Sequence, residues 1–331
     1  MSNYPHYPVP PGGIQHPGNM PPVYVPVEQP TAEPLPYHRL SRTYPAYRWW
    51  KPVMVGLIAV GFYLVLMVLL MLGLVFAMFA SSAPGAPIDE SFAALDIMDM
   101  GDPLTFAFSM LSLILMIPAL FWATRIMNVQ KLGTLTSVRG TMRWAWLGTC
   151  MLVALGVLLL SFGVSFAFDA SQGIPFEPDF TAPNMWTLIL LTLLLVPFQA
   201  AAEEYVFRGY FMQLLGGWVR HPAFAILLPI PFFVLGHDYD IYGQLDVGLF
   251  ALAAGWLAWR TGGLEAAIGL HVVNNSVIFV MGAIGLVDVN ATDGNLGSLL
   301  VSAFTTSLFV LVIVKLANQK KIERLSPALP L

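Results

Sequence analysis

Three groups of polar residues interrupt an otherwise apolar second half of the sequence: Glu203, Glu204 and Arg208; His237; and His271, Asn274 and Asn275. An ionisable side chain at the centre of a membrane helix costs about 2.5–3.5 kcal/mol on insertion scales, so its retention marks a functional site by default. On a helix Glu203 and Glu204 point about 100° apart, and Arg208 follows Glu204 by one turn. That spacing favours a Glu204–Arg208 pair with the acid on the N-terminal side. Glu203 is then left without a fixed cation, and a carboxylate partly removed from water in that way is a competent proton acceptor or donor. The bland reading is a structural charge cluster at the membrane surface.

His237 ends Phe233-Val234-Leu235-Gly236-His237, which puts ring and imidazole on one helical face. A solvated histidine beside Asp238 is the bland reading here. If the chain turns near residues 216–222, Glu203 and His237 lie equally far from the turn, and two packed antiparallel helices bring them to one depth. His271 and Asn275 share a face of a later stretch, and burying imidazole and amide without partners would cost several kcal/mol. They are therefore expected to face each other or a hydrated cavity, with plain helix-to-helix hydrogen bonding as the alternative. Glu265 reads as an interfacial charge, and Cys150, the single cysteine, as a small core residue.

The elements that must position these groups follow from composition. Of 331 residues 57% are apolar and 10% charged, against about 25% charged in an ordinary soluble domain. The fold class is all-α: a polytopic integral membrane protein with about eight transmembrane helices. The apolar stretches are 53–80, 104–124, 144–168, 185–202, 222–237, 246–259, 264–287 and 297–314, the fifth and sixth being short against the roughly 20 residues that a span needs. With both termini in the cytosol, all 15 Lys and Arg fall on inside segments, and the outer loops carry only acids. Such an asymmetry supports the span count and a multi-pass place in the cell membrane. Pro118, Pro197, Pro229 and Pro231 fall inside spans as kinks that neighbouring helices must repair.

Residues 1–46 are rich in Pro and Tyr, without a period that buries a face, and are expected to form a disordered cytoplasmic tail. A protein partner of this tail is the functional reading, a solvated extension the bland one. Membrane helices one to three then occupy 47–180, the polar groups lie in a core of 181–317, and 318–331 forms a second cytoplasmic tail. A net charge of −4 and the absence of a basic groove set nucleic acid aside.

Taken together, Glu203-Glu204-x-x-x-Arg208, Phe233-x-x-x-His237 and His271-x-x-x-Asn275 resemble, in order, the marks of the CAAX protease and bacteriocin-processing family. The resemblance covers about residues 185–280 and implies an intramembrane glutamic endopeptidase acting on peptide or membrane-protein substrates. It implies that Glu203 is the general base on a water that His237 also holds, that His271 and Asn275 donate to the oxyanion, and that Glu204 and Arg208 brace the site, with Phe233 in support. No cofactor is implied. A zinc peptidase with Glu203, His237 and His271 as ligands is the nearest rival. The family also suggests a non-proteolytic role, as a bacteriocin self-immunity protein or a regulator of sensor kinases. Nothing in the residues selects a substrate.

Overall fold

The computed structural model describes residues 31–81, 99–327 and 329–330. Its helices are α1 Lys51–Ser81, α2 Pro103–Met127, α3 Trp144–Ser171, α4 Met185–Trp218, α5 Pro222–Leu227, α6 Ile230–Val234, α7 Ile241–Thr261, α8 Glu265–Ala283 and α9 Leu296–Gln319. Among the described residues seven of these are long and apolar enough to cross a membrane, and the chain is a multi-pass, all-helical membrane protein. The only strand pairing among them joins Thr31–Ala32 to Leu329–Pro330.

The expected fifth span differs. Residues 222–237 form two short helices, α5 and α6, interrupted at Leu228–Pro229, because Pro229 and Pro231 each remove a backbone donor. The chain nevertheless passes from one end of the bundle to the other here. His38 Nε2 donates to Arg220 O (3.0 Å) at the end where α1 begins, whereas Asp240 N donates to Thr292 O (3.0 Å) at the end where α9 begins. Both ends of the described chain therefore lie at one end of the bundle, where Ser326 N donates to Leu35 O at 2.9 Å.

α4 also departs from expectation. It does not stop near residue 202 but runs on to Trp218, with a π-helical segment over Tyr205–Phe211. Arg208 thus belongs to the span and is buried, rather than lying in an inside loop. Segments of wider turn of this kind inside α-helices occur frequently at functional sites.

α8 is the central element, packed against α3, α4 and α7. Every residue from Glu265 to Val273 is buried. Gly269 makes this packing close: a Cβ there would stand 2.9 Å from that of Cys150, itself wholly buried on α3. Glu265, read as an interfacial charge, is fully buried within the protein, where Arg143 grips it through Nε–Oε1 (2.8 Å) and Nη2–Oε2 (2.6 Å).

Of the expected 1–46 tail, residues 1–30 lie outside the described residues. The rest is not free chain. Tyr37–Thr43 forms a 3-10 turn whose Tyr37, His38, Leu40 and Ser41 are buried against the end of α4. Tyr37 Oη donates to Leu135 O, Ser41 Oγ to Gln213 O (3.4 Å) and Arg42 Nη1 to Gly217 O (2.8 Å). Gly216 permits this docking, since a Cβ would meet His38 O at 1.9 Å.

Candidate active site

α4 presents Glu203 and Glu204 at the point where the helix widens, and both are buried. Arg208, one turn on, donates from Nη1 to Glu204 Oε1 at 2.9 Å, the pairing its spacing predicts. The guanidinium is held from its other face as well, its carbon 4.2 Å from the centre of the Phe233 ring on α6 and 5.7 Å from that of Phe250 on α7. An aromatic face attracts a desolvated cation, so Arg208 is positioned by three helices.

His271, on α8, enters the same cluster. Its Nδ1 lies 2.8 Å from Glu204 Oε1 and its Nε2 3.4 Å from Glu203 Oε2. A carboxylate only accepts, so Nδ1 carries a hydrogen toward Glu204. The approach of Nε2 to Glu203 is then attractive only with a proton between them. Glu203, Glu204, Arg208 and His271 so form one buried group in which a single added proton balances the charges. Glu203 Oε2, Glu204 Oε2 and Arg208 Nη2 have no hydrogen-bond partner among the described residues. A cavity of about 10 Å³, room for one water, adjoins this group beside Arg208, Phe207, Phe233 and Gly255.

The other two expected residues share no hydrogen bond with the acids among the described residues. His237 hydrogen-bonds through Nδ1 to Phe233 O at 2.8 Å, and its ring centre is 4.9 Å from that of Phe233. The Phe233 ring in turn lies 6.3 Å from that of His271, so it packs near both imidazoles. His237 is only half-buried and shares no hydrogen bond with the acids among the described residues. Asn275, one turn beyond His271, donates from Nδ2 to Gln199 Oε1 at 3.3 Å and receives Asn274 Nδ2 at 3.2 Å.

Three neighbours went unread in the sequence. Gln199 is buried one turn before Glu203, and a polar residue at that offset within an apolar stretch was a usable signal. Phe250, 5.0 Å from the His271 ring, and Tyr239, stacked on His237 at 6.1 Å, are aromatic residues among many and gave none. Among the described residues no group of three or more His, Cys, Asp and Glu side chains is arranged to hold a metal ion. Of the three ligands the zinc reading requires, Glu203 and His271 face each other directly and His237 is bonded through Nδ1 to Phe233 O.

Residues 184–277 match the Rce1-like family model, described as type II CAAX prenyl endopeptidase Rce1-like. The protein YyaK of Bacillus subtilis (strain 168), described as uncharacterized, is 22% identical over 262 residues, which cover 76% of this chain and 82% of that protein. No solved structure gives a significant match. The matched segment holds the acid pair, Arg208, both histidines and Asn275, and over that segment the chain is similar to the type II CAAX prenyl endopeptidase family.

Proposed function

We propose that this protein is a membrane-embedded endopeptidase that hydrolyses peptide bonds with a water activated by Glu203, without a metal. The observation that carries the reading is the buried Glu203–His271–Glu204–Arg208 group, in which Glu203 Oε2 faces His271 Nε2 at 3.4 Å and has no closer donor among the described residues. In the proposed reaction the water oxygen bonds to the substrate carbonyl carbon while its proton passes to Glu203. The carbonyl becomes an oxyanion, and collapse breaks the C–N bond as Glu203 returns the proton to the leaving amine. His271, with both ring nitrogens turned to carboxylates, fits the orienting of Glu203 better than the oxyanion role that resemblance assigns to it. Asn275 retains one amide hydrogen for the oxyanion, and His237, bonded through Nδ1 to Phe233 O, supplies its Nε2 to the water.

Substrates are peptides or membrane-associated proteins entering from the bilayer. The chain lies in the cell membrane with both ends in the cytosol, a reading supported by Arg139, Arg143, Arg260 and Lys320 at the end of the bundle where the described termini meet.

The test is cleavage of peptides by the purified full-length chain in lipid nanodiscs. Glu203→Gln should lower turnover by about 10²–10⁴-fold, the usual scale of general-base loss, with unchanged helix content. Turnover within about twofold of wild type would overturn the proposal. If Glu203→Gln also complements a deletion strain fully, the non-proteolytic role is the function.

A further inference from the structure

One carboxylate within a span has no part in the reaction above. Asp246 lies on the second turn of α7, partly buried, and its only hydrogen-bond partner among the described residues is the neutral Ser302 hydroxyl of α9. No Lys or Arg occurs between His221 and Trp259. Among the described residues no cation lies within salt-bridge distance of it. A carboxylate held at such a place without a countercharge is costly unless it is neutralised by a proton or by a partner from outside the chain.

Its place relative to the site is fixed by the helix. Asp246 and Phe250 are one turn apart on one face of α7, and Phe250 touches the His271 ring. On the same side the Tyr239 hydroxyl lies within electrostatic reach of both Asp246 and Glu203, and the Tyr239 ring stacks on His237. Asp246 therefore stands on the rim of the acid and histidine group, about 5.4 Å toward the Asp240 end of α7. The rim on that side carries Asp238 and Asp240 besides, Asp240 being engaged as the N-terminal cap of α7 through Gly243 N.

We propose that Asp246 is a specificity-determining residue that pairs with a basic side chain of the substrate, so that the preferred peptide carries a Lys or Arg close to the bond cleaved. The inference rests on the endopeptidase reading. One helical turn equals about two residues of extended peptide at roughly 3.3 Å each, and the length of the basic side chain widens the range to about two to four residues from the scissile bond.

The experiment uses the full chain in nanodiscs and a set of equal-length apolar peptides, each with one Lys, Gln or Glu at successive positions, with products read by mass spectrometry. Wild type should cleave the Lys peptides with kcat/KM about 10- to 100-fold above the Gln peptides, mostly through KM. Asp246→Asn, which keeps the size and the Ser302 contact, should erase that ratio while leaving kcat on Gln peptides unchanged. Asp246→Lys should move the preference to Glu peptides. Equal cleavage of Lys and Gln peptides by wild type overturns the inference and leaves the endopeptidase reading standing. A Lys preference that survives in Asp246→Asn also overturns it, and an equal loss on all peptides in that variant shows Asp246 to be a helix-packing residue instead. Failure of wild type to cleave any peptide removes the endopeptidase reading and the inference with it.

Discussion

Replacing Arg208 with Met tests whether the buried ion pair is structural. The Met side chain can still fill space against Phe233, but it leaves the fully buried Glu204 with His271 as its remaining partner. Removing one member of a buried pair costs about 3–5 kcal/mol. Loss of the guanidinium over the Phe233 ring adds about 0.5–2 kcal/mol, so a total of about 3.5–7 kcal/mol is expected. Glu204→Gln strands the cation and should cost a comparable amount. The double variant carries neither charge, and its amide can still accept from His271, so it should be more stable than the sum of the single losses by at least about 2 kcal/mol. The assay is reversible unfolding of the detergent-solubilised chain with increasing SDS, followed by tryptophan fluorescence. An Arg208→Met cost under about 1 kcal/mol, the value of an exposed pair, would refute the reasoning, as would strict additivity in the double variant.

Gly216→Ala forces a Cβ onto the His38 carbonyl at 1.9 Å. It should cost about 1–3 kcal/mol and release the 37–43 turn, read as new trypsin cleavage at Arg39 and Arg42; continued protection would refute it. Burial holds the His38 imidazole below its ordinary range, so its unfolded form binds protons more readily than its folded form. Its contribution to stability is present above the unfolded value of about 6.5 and is lost as pH falls through the folded one. The unfolding midpoint should therefore drop below about pH 6.5 in wild type and less so in His38→Gln; parallel profiles would count against it. A strong zinc chelator should leave peptide turnover unchanged, and loss of activity restored by added zinc would replace the proposed water activation with a metal.

Parts of this architecture were legible because they depend on local spacing. The Glu204–Arg208 pair follows from one turn of one helix, and the spans follow from the length of apolar runs. What was not legible depends on which helices touch. That His271 sits between two carboxylates is settled by the approach of α8 to α3 at Gly269 and Cys150 and by its packing on α4, which no single segment encodes. The prolines at 229 and 231 were visible as kinks, but that they divide the crossing into two short helices appears only in the structure. Tyr37 was misjudged for a related reason: a single 3-10 turn has no period to detect, and its burial is decided by a groove made elsewhere.

The contact between Leu35 and Ser326 has a mechanical consequence. Each residue donates its backbone N–H to the other, at 3.0 Å to the Ser326 hydroxyl and 2.9 Å to the Leu35 carbonyl, so the two ends of the described chain are fastened together like a belt. A machine that grips either terminus and pulls would meet this buckle before any helix. Extraction from the bilayer must unfasten it first, and a mutation that loosens it should shorten the lifetime of the protein in the cell without touching the acid and histidine group.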